Sequence, residues 1–349
     1  PGTRLPTHRA LAEALGVTVG TITRAYTEAE RRGLVDATVG RGTFVRGASA
    51  EIGTNADQQS EAICFPALSP ASRGAPDGAM PGDRAERTSS GLIDLSANYP
   101  VGTYHADALM PAMRAVNDAD RLNAVTGYQA AVGHSDHRAA GAGWVARFGL
   151  QAESRDIVVT NGCQGGLSVT LGGLTNPGDT ILVETLAWPG IHAVAQQRGL
   201  RVVSLTMDHE GLEPDALREA ARRHRARAVV CMPTLQNPTN RTMSETRRRE
   251  LLDAAAATGV TMEGDDISGF LPDPPSIPLA ERAPEHAVCV TSLSKCLAPG
   301  LRVGYVKAPR QLVPRIAAAQ RAASVMAGPL AAEIAMHAIH GGHAARAAE

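Results

Sequence analysis

Ser292-Leu293-Ser294-Lys295-Cys296-Leu297-Ala298-Pro299-Gly300-Leu301-Arg302 is the stretch on which the reading of this chain turns, and Lys295 is its centre. Of 34 basic residues in the 349-residue chain, only Lys295 and Lys307 are lysines. Elsewhere positive charge is carried by Arg. An amine can lose its proton and attack a carbonyl, whereas a guanidinium stays charged, so a lysine kept in such a chain suggests a Schiff base. The count alone leaves chance about as good an account. The flanking residues and the order of the upstream motifs decide between them.

Working outward, short apolar runs alternate with amphipathic ones. Strands are predicted at 157–160, 180–183, 202–205, 228–231, 260–263, 288–290 and 302–305. Helices are predicted at 165–174, about 190–198, 213–223 and 244–257. Such alternation predicts an α/β fold, a mostly parallel sheet with helices on both faces. Sites in these folds gather in loops beyond the C-terminal ends of the strands.

Several unusual residues stand just past those ends. Asn161-Gly162-Cys163-Gln164-Gly165-Gly166 opens a helix, where free backbone N–H groups suit a phosphate. Asn237-Pro238-Thr239-Asn240 by itself reads as a turn. Glu263-Gly264-Asp265-Asp266 by itself reads as a helix cap, and Trp188, one of two tryptophans, as core.

Taken in this order, from Ile93-Asp94-Leu95 to the end, the motifs resemble the fold-type I pyridoxal-phosphate (PLP) aminotransferases. The resemblance implies that Lys295 forms the internal aldimine. It also implies that Asp265 pairs with the pyridine nitrogen, Asn237 with the phenolic oxygen, and that Trp188 stacks on the ring. Gly162, Cys163, Ser292 and Arg302 would hold the phosphate, with Ser294 a further candidate. Tyr128, in Gly127-Tyr128-Gln129, would reach the phosphate of a neighbouring subunit, implying a homodimer. Asp266 could compete with Asp265, although the register favours Asp265. Ser268 stands near where the family has a tyrosine and is too short for the same contact with the phenolic oxygen.

The first 46 residues differ in character, with seven Arg against four acidic residues. Pro6-Thr7 opens a helix carrying Ala10, Leu11 and Ala14, and Gly16 breaks it. Thr18 caps a second helix bearing Ile22, Ala25, Tyr26 and Ala29. Runs at 34–39 and 43–45 around Gly40-Arg41-Gly42 then read as a hairpin. Residues 2–46 resemble the winged helix-turn-helix DNA-binding domain of GntR-type bacterial regulators, whose first helix has no counterpart here. By that resemblance the second helix enters the major groove of double-stranded DNA with Thr18, Val19, Gly20, Thr21 and Thr23. Arg9, Arg24 and Arg41 would be phosphate or base contacts.

Residues 47–91, rich in Ala, Ser, Gly, Pro and Asp, are expected to be a flexible linker. The expected domains are thus 1–46, the linker, and an aminotransferase-like PLP-binding domain at 92–349. This architecture resembles the MocR-type subfamily of GntR regulators, in which the aminotransferase fold chiefly senses an effector. The small C-terminal domain of that family, with its carboxylate-gripping arginine, has no counterpart before Glu349.

Composition excludes other classes. A net charge of −1 is no polyanion-binding signature for the whole chain. Cys64, Cys163, Cys231, Cys289 and Cys296 form no CxxC pair, so neither a disulfide framework nor a metal site is expected, and a reducing cytoplasm fits. No apolar run is long enough for a membrane span, and no signal-peptide pattern opens the chain. Two functions follow as expectations. One is a PLP-dependent DNA-binding regulator that senses the cofactor, an amine or an amino acid through Lys295. The alternative is a working aminotransferase carrying a DNA-binding appendage.

Overall fold

The computed structural model describes residues 5–31, 35–38, 42–45 and 105–348. The expected linker at 47–91, the Ile93-Asp94-Leu95 start and the Arg41 wing tip lie outside them. The chain divides into two compact units, Pro1–Glu61 and Ala62–Glu349.

In the first unit, α1 (His8–Leu15) and α2 (Val19–Arg31) precede strands β1 (Val35–Thr38) and β2 (Gly42–Val45), which pair antiparallel. Thr7 caps α1 by accepting from Ala10 N at 3.3 Å, and Gly16 ends it at φ +64°, a conformation glycine adopts without strain. Thr18 caps α2, its Oγ1 accepting from Thr21 N at 3.2 Å. The expected inward face of α1 is rotated: Ala10 and Ala14 are exposed, while Ala12 is buried and Leu11 half-buried. Ala12 and Leu11 pack with Ile22 and Tyr26, and the His8 ring lies edge-on to Tyr26 at 4.5 Å, one turn away on the same stripe. Tyr26 Oη donates to Pro6 O at 2.8 Å, and Leu5 N donates to Thr43 O at 2.8 Å, fastening the entry segment to helix and hairpin.

The second unit opens with α3 (His105–Val116), α4 (Ala119–Thr126) and α5 (Ser135–Ala146). There follow β3 (Ile157–Thr160), α6 (Gly162–Leu174), β4 (Thr180–Glu184), α7 (Pro189–Gln197) and β5 (Arg201–Leu205). After the small pair β6 (Met207–Asp208) and β7 (Gly211–Leu212) come α8 (Pro214–His224), β8 (Ala228–Cys231), α9 (Glu245–Thr258) and β9 (Thr261–Asp265). The chain continues through α10 (Leu279–Arg282), β10 (Ala287–Ser292), β11 (Gly304–Lys307), α11 (Val313–Ser324), α12 (Pro329–His340) and α13 (His343–Ala348).

Seven strands form one sheet in the order β3-β11-β10-β9-β8-β4-β5. Neighbours from β10 to β5 are parallel, and β11 runs antiparallel to both β10 and β3. The mostly parallel expectation is met. Strands β3, β4, β8 and β10 are buried along their whole length because both faces are covered; edge strand β5 is partly exposed. One face packs on Trp144, Phe148, Leu251 and Leu293, the other on Val158, Val288, Val290 and Ile316.

The register sets one row at the sheet edge. Ser292 pairs with Gly304, and Gly304 with Thr160; one step inward, Val290 pairs with Asp265. Away from that edge, the buried Glu333 carboxylate joins three helices. It lies 2.9 Å from Arg121 Nη1, 2.7 Å from His137 Nε2 and 3.2 Å from His337 Nε2.

Candidate cofactor site

The C-terminal ends of the parallel strands and the start of α6 converge on Lys295, Asp265 and Arg302. Asp265 ends β9 and is buried facing α6. Its Oδ1 accepts from Cys163 Sγ at 3.2 Å and from Ile267 N at 3.2 Å. Burial outweighs these bonds and the pull of Lys295, so the carboxyl is pushed up to about 6.

Asp266 is separated from this group by strand alternation, because successive side chains point to opposite faces. Its carboxylate accepts from Thr234 Oγ1 at 3.4 Å and is drawn toward the buried Arg248. Arg248 donates to Pro233 O at 2.8 Å, Thr234 Oγ1 at 2.9 Å, and Met243 O, Ile277 O and Ser276 Oγ at 3.2 Å each. Arg248 thus acts on Asp266 through its charge alone, and Asp265 is the acid that feels Lys295.

Lys295 lies half-buried just past β10. Burial lowers its pKa, Asp265 and Cys163 oppose that, and Arg302 adds to it. A lowered ammonium pKa puts more of the nucleophilic amine within reach of neutral pH.

The α6 start forms the anion corner. Its N-cap, Asn161, makes no capping bond: Nδ2 donates to Ser324 Oγ at 3.1 Å and Oδ1 accepts from Gly328 N at 3.2 Å. The first-turn amides are left for an anion. Arg302 crosses this end, Nη2 donating to Asn161 O at 3.3 Å and Nη1 to Pro299 O at 3.3 Å. Gly162 sits at φ +75°, and a Cβ there would meet the Arg302 guanidinium. A Cβ on Gly304 would in turn meet the Gly162 backbone, so both glycines are required by close approach. Ser292 Oγ accepts from Ser294 N at 3.3 Å, and both serines are buried.

The structure thus brings Gly162, Cys163, Asp265, Ser292, Ser294, Lys295 and Arg302 together. Cys163 differs from expectation in detail: its backbone opens α6, but its thiol turns to Asp265. Trp188 folds over Gly190 and packs on the aliphatic cluster of Leu167, Leu171 and Ile191. Asn237 is exposed, Tyr128 is 90% exposed, and Ser268 lies half-buried in the turn after Asp266. In the first unit Arg9, Thr18, Val19, Gly20, Thr21, Thr23 and Arg24 are all exposed. The Thr23 hydroxyl is engaged, donating to Val19 O at 3.0 Å and lying 3.1 Å from His8 Nδ1.

Three buried polar residues escaped the sequence reading. Gln236 and Glu184 hydrogen-bond to each other at 3.2 Å. Glu263 shares the face of Asp265, and both its carboxylate oxygens lack a hydrogen-bond partner among the described residues. Burial, with Asp265 beside it, pushes its carboxyl well up. Two-residue spacing from Asp265 on a strand is the signal that could have found it.

Uncapped amides beside an arginine, a lysine of lowered pKa and a buried acid fit a phosphorylated pyridine aldehyde, the group the resemblance implies. Among the described residues no group of three or more His, Cys, Asp or Glu is placed to hold a metal ion, and no helix is long and apolar enough to cross a membrane.

Comparisons with known proteins agree with this geometry. Residues 90–345 match the model of aminotransferase class I and II, a pyridoxal-phosphate-dependent family, and residues 1–45 match that of bacterial regulatory proteins, gntR family. The uncharacterized HTH-type transcriptional regulator YdeF of Bacillus subtilis is 29% identical over 96% of this chain and 66% of its own length. For the uncharacterized HTH-type transcriptional regulator YjiR of Escherichia coli the figures are 27%, 87% and 64%. The chain therefore spans about two thirds of the length of these curated relatives. A crystal structure of an archaeal alanine:glyoxylate aminotransferase superposes with a TM-score of 0.66 at 22% identity, covering 75% of this chain and 67% of that one, which shows the shared fold. With that family's model covering most of its length behind a gntR-type helix-turn-helix segment, the chain belongs to the aminotransferase class I and II family and has the domain order of MocR-type regulators.

Proposed function

We propose that this chain is a cytoplasmic DNA-binding transcription regulator that holds pyridoxal phosphate on Lys295 and works as a homodimer. One observation carries the reading: a half-buried lysine, drawn by a buried acid and set beside an arginine-flanked, uncapped helix start, lies in one chain with a helix-turn-helix unit. The first-turn amides of α6, Arg302 and Ser292 bind the phosphate, with Ser294 beside them. Asp265 keeps a proton on the ring nitrogen. Asn237 faces the ring oxygen, with Ser268 behind Asp266, and Trp188 borders the ring. Tyr128 reaches into the partner's site. When bound, the cofactor supplies a carbonyl that captures amines and a ring that accepts electron density.

In the DNA-binding unit, the exposed start of α2 presents Thr18, Val19, Gly20 and Thr21 to base edges, while Arg9, Arg24 and Arg41 neutralise phosphates. Ligand binding regulates only if it favours one arrangement of the dimer over another. An amine or amino acid that takes the place of Lys295 on that carbonyl and frees the lysine amine would be the natural effector, since the exchange alters the charge around Asp265 and Arg302.

The test is a gel shift on the DNA upstream of the chain's own gene, with and without pyridoxal phosphate. Cofactor-dependent binding that weakens steeply with salt supports the reading. Cofactor-indifferent binding, or none, counts against it. Turnover of an amino acid to its keto acid would instead favour a working aminotransferase with a DNA-binding appendage.

A further inference from the structure

We propose that Cys163 is a positioning residue for Asp265, its thiol hydrogen bond setting how firmly the chain holds the protonated ring nitrogen of its cofactor. The inference rests on the cofactor reading above and goes beyond it in giving the thiol a task separate from the phosphate.

The geometry points to this division of labour. The Cys163 backbone belongs to the first turn of α6, so its amide serves the anion corner whatever its side chain does. The side chain points into the sheet, among Val158, Val169, Val288 and Val290, and its Sγ lies 3.2 Å from Asp265 Oδ1. The second bond to Asp265, from Ile267 N, also falls on Oδ1. Both protein donors to Asp265 thus fall on one carboxylate oxygen.

The other groups that face Asp265 leave the thiol a clear role. Lys295, past β10, is the attracting cation, and Asp266, just past the end of β9, raises the Asp265 pKa. Glu263 on β9 and Glu184 on β4 each feel Asp265, and Cys289 on β10 feels it as well. Burial pushes the Glu263 carboxyl well up. Burial and Asp265 also push the Cys163 thiol well up, so it stays protonated and can donate. The thiol and the Ile267 amide are thus the neutral donors offsetting the desolvation of the carboxylate. Burial still outweighs both bonds and leaves the acid raised to about 6.

The test is cofactor binding, not turnover. Pyridoxal phosphate is stripped from the full chain and titrated back between pH 5 and 8, followed by absorbance, for the parent and for Cys163→Ala, Cys163→Val and Cys163→Ser. Protonation of Asp265 removes its pairing with the ring nitrogen, so affinity falls as pH falls. Losing the donor raises the Asp265 pKa and starts that fall at higher pH. The cofactor phosphate titrates near pH 6 in every sample, so differences between variants isolate Asp265. Ala and Val should each move the midpoint up by about half a pH unit, roughly threefold in affinity on the acid side, while Ser keeps it near the parent's. Equal shifts in all three variants, no shift in any, or a shift in Ala that the larger Val rescues would overturn the inference, the last by showing that only volume matters. If Val does not fold, Ala against Ser decides. A parent that takes up no pyridoxal phosphate overturns the cofactor reading and this inference with it. A parent that binds while the variants misbehave overturns the inference alone.

Discussion

Gln236 donates from Nε2 to Glu184 Oε2 across 3.2 Å, and the same nitrogen reaches the Leu186 carbonyl. Its Oε1 accepts from Thr239 N at 3.0 Å and Thr239 Oγ1 at 2.7 Å. One buried amide thus fastens the turn carrying Asn237 to the segment carrying Trp188. Gln236→Leu should lower pyridoxal-phosphate affinity about tenfold and unfolding free energy by about 1–3 kcal/mol, because it leaves buried partners unsatisfied. Absorbance titration and denaturant melts check both. An unchanged affinity would mean that backbone bonds alone hold the two loops.

Glu184 gives a pH signature. Burial pushes its carboxyl up to about 7 from an ordinary value of 4.5, more than its bonds from Gln236 and Met232 N pull it down. A raised acid costs stability when ionised. The cost is absent below pH 4.5, grows between 4.5 and 7, and is full above 7. Glu184→Gln should therefore gain on the parent by about 2–3 kcal/mol between pH 5 and pH 8. Urea midpoints at the two pH values measure the gain, and a constant difference would refute it.

The adjacent acids should separate by phenotype. Asp265→Asn should cut pyridoxal-phosphate affinity about 10- to 100-fold with little effect on stability, since a charged hydrogen bond to the ligand is lost. Asp266→Asn should do the reverse: it removes one of the acids, beside Glu245, whose charge offsets the burial of Arg248, at about 1–3 kcal/mol. Parallel binding and unfolding curves decide, and exchanged phenotypes would reassign the ring-nitrogen partner.

Two lysines make the attachment point easy to establish. Borohydride reduction of the loaded chain should add the cofactor mass to the parent and to Lys307→Arg, and none to Lys295→Arg. Lys307 is buried far along β11, its Nζ donating to Pro284 O at 3.5 Å, which is why it serves as the control. A mass increase in Lys295→Arg would sink the assignment.

On the DNA side, Arg9→Ala and Arg24→Ala should each flatten the dependence of log affinity on log salt by about 0.9. Thr18→Ala removes the cap bond to Thr21 N and should destabilise α2 by about 1 kcal/mol. Fluorescence anisotropy across a salt series separates the effects, since the cap should change affinity but not slope.

The sequence determined the strands of the main sheet and the four helices between them from 162 to 258, the two helices and hairpin of the first unit, and the lysine on which the reading turns. These were legible because they are local. Apolar period marks an element, a glycine or threonine marks its end, and the motifs keep their order along the chain. Tertiary structure alone decided the rest. The sequence register already favoured Asp265 over Asp266, and the packing adds that Asp265 faces Cys163 of α6 while Asp266 lies toward Thr234. Gln236, Glu184, Arg248 and Glu333 find partners up to 212 residues away along the chain, and no local pattern encodes such pairings. Even the Cys163 thiol finds its partner in a carboxylate 102 residues away. The physical reason is common to all of them: a buried polar group must find a partner, and only the packing of distant elements brings one within reach.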